Sequence, residues 1–190
     1  MRRLTPIRVS AMAFAALVPA ILAWAPIAAS AQSHSEYDVK AAMIFQLTRV
    51  VEWPDETHDD ASPMRIGILG TNPFGDALET MLADKPSPMG EGFSVVTVTT
   101  LEEGLTCEIV FVPQGSKPEM MALVPDLVAG SVLVIGEESR FAELDGGILA
   151  LVQDGRRMRM VLNMSAMATS RLQASSKFMR LCRIVGDASR

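Results

Sequence analysis

"MRIGILGTNPFGDALETMLADK", residues 64–85, sets the architecture. Its first seven residues are a short apolar run bounded by loops, the pattern of a strand buried on both faces. The run breaks at Gly70. A helical pattern follows, with Asn72 as N-cap, Pro73 at the first helical position and Asp76 in the first turn. A buried strand feeding directly into a helix is the unit from which parallel sheets are built.

The unit recurs outward from there. "FSVVTVTT" (93–100) is β-branched and reads as a strand, as do "EIVFVP" (108–113) and "SVLVIG" (131–136). Between the last two, Ser116-x-x-Glu119 forms a capping box opening a helix to about Val128. Downstream, "ILALVQ" (148–153) and "RRMRMVLN" (156–163) flank Asp154-Gly155, a two-residue hairpin signal. Asn163 then caps a long final helix, apolar at Met164, Ala168, Leu172, Met179 and Cys182. Strand–helix alternation predicts right-handed crossovers. The expected fold is α/β: a mostly parallel sheet of about four parallel strands, a C-terminal antiparallel hairpin at one edge, and helices on both faces.

Upstream, "KAAMIFQLTRVVEWP" (40–54) reads as a helix capped by Ser35, running to about Trp53 and stopped by Pro54. Tyr37, Ala41, Ile44, Thr48 and Val51 make one face; Met43, Leu47 and Val50 make another. A helix apolar on several sides is buried on several sides. It lies between the sheet and another helix or in a subunit interface, and the second possibility predicts a homodimer.

The N-terminus has a basic head of Arg2, Arg3 and Arg8, an uncharged run over residues 11–29, and small residues at Ala29 and Ala31. These are the parts of a secretory signal peptide cleaved after Ala31. The run is just long enough for a membrane anchor, but Pro19, Pro26 and the weakly apolar alanines favour cleavage, and the Sec route fits better than the twin-arginine one. Residues 32–190 then form a single domain in an oxidising, extracytoplasmic space. Removing the three arginines leaves 14 Lys and Arg against 22 Asp and Glu, a net charge of −8. So acidic a domain is ill suited to nucleic acid, where cations must neutralise phosphates. An oxidising compartment permits a disulfide between Cys107 and Cys182. Cys107 entering a strand and Cys182 on an apolar helix face fit free cysteines acting as small hydrophobes better.

Catalytic chemistry needs a tuned base, an activated nucleophile or a metal. The two histidines offer none: His34 is near the expected mature terminus, and His58 sits in "DETHDDAS" without metal-ligand spacing. No enzyme, metal or cofactor is implied. Three places remain for ligands or partners. Gly70-Thr71-Asn72-Pro73-Phe74-Gly75 lacks the Gly-Lys-Ser/Thr ending of a phosphate loop, and Phe74 would crowd a phosphate. It still lies outside the carboxyl ends of strands, where open α/β sheets bind ligands, which makes Asn72 and Phe74 candidates. Arg157 and Arg159 share one face of a strand, with Met158 and Met160 on the other. They are either a charged outer face or strand edge that discourages aggregation, or a contact for an acidic partner surface or an anionic ligand. Trp53 marks either a pocket or the end of the core, with its indole N–H on a backbone carbonyl.

"KAAMIFQLTRVVEWP", "RIGILGTNPFGDAL", "CEIVFVP", "FAELDGGILALV", "RMRMVLN" and "LQASSKFMRLCRIV", in that order, resemble the YfiR family of periplasmic proteins over nearly all of the mature chain. Lys40-Ala41-Ala42 and Glu52-Trp53-Pro54 match its opening helix and make Lys40 a further candidate. Gly70, Phe74 and Gly75 match its first turn, Gly146-Gly147 its glycine pair, Asn163 the residue opening its last helix, and Ser175-Ser176-Lys177 that helix's middle. The chain departs from the family at Gln46, usually asparagine, at Met160-Val161, usually Phe-Glu, and at Cys182, usually small. Some members carry a cysteine pair across the final hairpin; counted outward from Asp154-Gly155, those positions hold Leu151 and Met158, so no redox switch is implied there. The resemblance implies a regulatory protein that binds the periplasmic domain of an inner-membrane diguanylate cyclase and holds it inactive, lowering cyclic-di-GMP and biofilm formation. An outer-membrane lipoprotein would sequester it. The alternative is a small-molecule binding module serving a sensor kinase or uptake receptor.

Overall fold

The computed structural model describes residues 27–54, 62–89, 91–155 and 157–186. Helix α1 (Ile27–Leu47) leads to a two-residue strand β1 (Val51–Glu52), then β2 (Met64–Leu69), α2 (Ala77–Leu82), β3 (Phe93–Val98), α3 (Leu101–Leu105) and β4 (Ile109–Phe111). Next come α4 (Pro118–Met121), α5 (Val124–Ala129), β5 (Leu133–Gly136) and α6 (Ser139–Glu143), and then β6 (Leu149–Asp154) and β7 (Arg157–Asn163). The last elements are α7 (Met164–Ser170), β8 (Gln173–Ala174), α8 (Ser176–Met179) and β9 (Arg183–Val185).

The main sheet has the order β3-β2-β4-β5-β6-β7-β9. The chain leaves β2 for β3 on one side, then reverses to β4 on the other, so the topological switch point lies between β2 and β4. All pairings from β3 to β6 are parallel. Strand β7 turns back antiparallel to β6, and β9 lies parallel to β7. The α/β fold with a terminal hairpin is therefore as the sequence predicts, with β6 as a fifth parallel strand and β9 as an unpredicted edge.

Strand alternation separates the two faces. Ile66 pairs with Val95 and Ile109, and their face receives α1 and α2; Phe45 meets Phe93 there edge-to-face, ring centroids 6.0 Å apart. Gly67 pairs with Val96 and Val110 on the opposite face. A Cβ on Gly67 would lie 2.6 Å from Val98, so this face needs a glycine for its packing. Helices α3 and α5 cover it, where Leu127 crosses Gly104. Near the β5–β6 crossover the Phe141 ring occupies the space a Cβ of Gly147 would need, at 1.9 Å.

Several predicted boundaries move, each for a local reason. Helix α1 begins at Ile27, so Ser35 lies within it and is not its cap; Ala28, Ala29 and Ala31 are strong helix formers. It ends at Leu47, short of Trp53. The β-branched Val50 and Val51 disfavour helix, and Val51–Glu52 instead pairs antiparallel with Gln173–Ala174. Asn72 is not an N-cap either. Its Oδ1 accepts the Phe74 N–H at 2.8 Å and its Nδ2 donates to the Gly75 carbonyl at 3.0 Å, closing a side-chain turn; α2 starts later, behind Asp76. Ser116 makes no capping box: its hydroxyl donates to the Pro113 carbonyl at 2.7 Å. The single helix expected to reach Val128 is split into α4 and α5, because Pro125 has no N–H and fits only in a first turn. The capping box lies instead at Thr100 and Glu103, opening the unpredicted α3.

The C-terminal region differs most. Asn163 does cap α7, accepting the Ala166 N–H at 3.1 Å. That helix stops at Ser170, whose hydroxyl donates to the Met167 carbonyl and accepts from the Leu172 N–H, and Arg171 adopts a left-handed φ of 59°. The predicted long helix becomes helix, strand, helix, strand. In the hairpin, Asp154 pairs with Arg157, so Asp154 belongs to the ladder and the turn lies one step later than Asp154-Gly155. Leu151 consequently faces Met160, and Met158 faces Gln153; Leu151 and Met158 are not partners.

Candidate functional site

The switch point is where a sheet of this order holds its ligand, outside the carboxyl ends of the strands. Here the chain fills the crevice itself. Phe74, 1% exposed, sits edge-to-face between Tyr37 at 5.2 Å and Phe111 at 4.8 Å, measured between ring centroids. Beside them is Lys40, 2% exposed, whose Nζ lies 2.5 Å from both Glu36 Oε1 and Glu137 Oε1 and 4.6 Å from the Tyr37 ring centre. The second carboxylate oxygen of Glu137 accepts the backbone N–H of Gln114. Tyr37 also bonds Glu137. Burial, and then the negative charge of Glu137, push its hydroxyl well above the usual range.

Of the sequence candidates, Lys40 and Phe74 thus meet in one buried cluster, and Asn72 shapes the turn that presents Phe74. Sequence reasoning missed Tyr37, Glu36 and Glu137 as members. The available signal was an acid placed immediately after the apolar strand "SVLVIG". The arrangement is an ion-pair and aromatic latch between α1 and the sheet. Its single ammonium is held between two carboxylates, and it presents no open basic or nucleophilic group.

Trp53 lies at the opposite, amino end of the strands. Its indole, 9% exposed, donates to the Glu108 carbonyl at 3.0 Å, the placement expected of a core tryptophan. Helix α1 therefore runs the full height of the sheet, latched by Lys40 above and by the Trp53 segment below.

Arg157 and Arg159 stand apart from both. Leu149 pairs beside Ile135, near the end of β5, so the β6–β7 hairpin projects beyond the carboxyl ends of the other strands. Both arginines are exposed, and Met158 and Met160 turn to the half-buried face, as alternation requires. Arg159 pairs with Asp154 at 2.5 Å, whereas Arg157 makes no ion pair with a described residue.

The two cysteines are free thiols, which corrects the possible bridge. Each sulfur donates instead to a carbonyl four residues back, Cys107 to Glu103 and Cys182 to Phe178, both at 3.5 Å. Burial raises both thiols, Cys182 to about 11. Residues 55–61, with His58, and the side chain of His34 lie outside the described residues, as do the basic head and most of the apolar run of the expected signal peptide. Among the described residues no cluster of His, Cys, Asp and Glu is arranged to hold a metal.

The surplus apolar face of α1 opens on a groove of about 620 Å³. Met43 and Leu47 of α1, with Val50 in the turn that follows it, form one wall; Met160 of β7, Phe178 of α8 and Leu181 form the other.

A family model described as DUF4154, YfiR/HmsC-like, matches residues 37–183, from the latch tyrosine into the last strand. The chain belongs to the YfiR/HmsC-like family. No curated protein matches it. The YfiR/HmsC-like span takes in the Lys40–Glu137 latch, the Trp53 anchor, the projecting hairpin and every residue lining the groove.

Proposed function

We propose that the protein is a periplasmic regulatory binding protein that holds an inner-membrane diguanylate cyclase inactive, so lowering cyclic-di-GMP and biofilm formation. The observation that carries this reading is the YfiR/HmsC-like match over residues 37–183. The regulator acts by binding, with no catalytic step, and reaches the periplasm through the Sec signal peptide cleaved after Ala31. Among the described residues no helix is long and apolar enough to cross a membrane.

Repression of this kind is a population shift: the regulator must bind the inactive cyclase more tightly than the active one. A swing from 1:99 to 99:1 needs a preference of about 10⁴-fold. The projecting hairpin offers Arg157 and Arg159 to an acidic patch on the cyclase, and an outer-membrane lipoprotein competes by sequestering the regulator. Deleting the gene should raise cyclic-di-GMP and surface attachment, and the tagged protein should co-purify with a membrane cyclase. Unchanged nucleotide levels in the deletion strain would sink the cyclase assignment.

A second reading, a small-molecule module serving a sensor kinase or uptake receptor, draws support from the apolar groove on α1. The strand-end crevice, the place the sequence suggests for such a ligand, is occupied by Phe74 and Lys40.

A further inference from the structure

We propose that the groove between α1 and α8 binds a single-chain anionic amphiphile, such as a medium-chain fatty carboxylate, with its tail along the groove and its head at Lys177. The proposal gives the small-molecule reading a site and a ligand class, and it stands whether or not the cyclase reading does.

Three observations carry it. The volume of about 620 Å³ falls within the range of small-molecule pockets and exceeds what one alkyl chain of ten to twelve carbons fills. The walls are almost wholly apolar, and two of their side chains, Met43 and Met160, are flexible thioethers that adapt to a sliding chain. Among the described residues, polar groups appear in the lining only as Gln46, Ser175 and Lys177, and Lys177 is the only charged one. The rim carries one exposed ammonium that forms no ion pair with a described residue. A monoanion with one apolar tail matches both features. A nucleotide or sugar would leave its polar groups unpaired against the methionines, and a cationic lipid would meet Lys177.

The same geometry couples occupancy to the fold. One wall belongs to α1, which the Lys40–Glu137 latch fixes to the sheet, and the other to the short C-terminal elements. A bound tail would tie the two together.

The test is calorimetric titration of the purified protein with dodecanoate, held below its micelle-forming concentration, beside dodecyltrimethylammonium, which has the same tail and the opposite head. Dodecanoate should bind saturably, with a dissociation constant on the order of 10 μM. The ammonium compound should bind about tenfold more weakly, and Lys177→Gln should remove that difference. Gln46→Trp, at an exposed position of the lining, should fill the groove and abolish binding of both. Thermal melts of the two variants confirm that each remains folded. No dodecanoate binding to wild type, or unchanged binding to Gln46→Trp, overturns the proposal. So does a wild-type dimer in sedimentation that fails to bind dodecanoate and that Gln46→Trp dissociates; the groove would then be an interface between copies.

Discussion

Lys40 Nζ lies 2.5 Å from Glu137 Oε1, joining the first helix to the end of β5 across 97 residues of sequence. Both side chains are buried, so neither charge has water to fall back on. Removing one partner of such a pair leaves an uncompensated buried charge, at a cost of about 3–5 kcal/mol. Lys40→Met should lower unfolding stability by that amount in urea titration. Lys40→Met combined with Glu137→Gln should cost less than the two single changes added together, because the double variant leaves only the part-exposed Glu36 without its partner. Additive losses would mean that the two groups do not interact as the structure has them.

Trp53 anchors the other end of α1. Trp53→Phe keeps most of the ring but leaves the Glu108 carbonyl without the indole donor, an expected loss of about 1–2 kcal/mol. Trp53→Ala removes the ring as well and should cost about 3–5 kcal/mol. Circular-dichroism melting reads both. A Trp53→Ala protein that melts within a degree or two of wild type, yet no longer binds its partner, would make this a binding residue.

The glycine pair at 146–147 has two separate physical causes. Gly146 sits at φ 83°, where an L side chain is strained, with open space around it. Gly147 has ordinary backbone geometry, but the Phe141 ring lies where its Cβ would go. Gly147→Ala should therefore cost about 1–3 kcal/mol by overpacking. Gly147→Ala with Phe141→Leu should regain part of that loss, and Gly146→Ala with Phe141→Leu should regain nothing.

The sheet was legible because its strands are continuous apolar runs, and a run such as "MRIGILG" needs no distant partner to be recognised. The hairpin was legible for the same local reason, yet its register slipped by one residue, since Asp154-Gly155 and the following pair fit the loop chemistry equally well. The C-terminal helix failed because Ser170 bonds its own backbone and β8 has a better partner in β1, more than a hundred residues earlier. Arg157 and Arg159 were placed correctly by alternation alone. Lys40 was singled out without its partner: a buried ion pair closed over 97 residues leaves no periodic trace. The groove is illegible for a similar reason, as its walls come from α1, β7 and α8, which no local pattern brings together.

Burial governs the thiols. At pH 8 a thiol at about 11 holds roughly a hundredfold less thiolate than one at 9.0, so Cys182 should react with a maleimide about a hundredfold more slowly than in the unfolded protein. The sign for stability follows from linkage. The folded value is raised, so between 9.0 and about 11 the unfolded state has lost a proton that the folded state keeps. The contribution is intact below pH 9 and declines as pH rises towards 11. Cys182→Ala should flatten that part of the stability profile. Rapid labelling of native Cys182 at neutral pH would contradict its burial against the Phe178 carbonyl.

The two hairpin arginines separate fold from recognition most cleanly. Both are exposed on a strand pair that projects past the rest of the sheet, and the half-buried Met158 and Met160 carry the packing on the opposite face. Arg157 makes no ion pair with a described residue, so Arg157→Glu should change stability by no more than about 0.5 kcal/mol. Arg159 has the exposed pair with Asp154, a type of contact worth about 0–1 kcal/mol, so Arg159→Glu should cost little more. If this face meets an acidic partner, reversing two charges turns attraction into repulsion. The double variant should then lose partner capture at low salt and release the cyclase in cells, raising cyclic-di-GMP towards the level of the deletion strain. Single reversals should give intermediate capture that weakens further as salt is added. Full capture and full repression by a folded double variant would remove the hairpin from the interface.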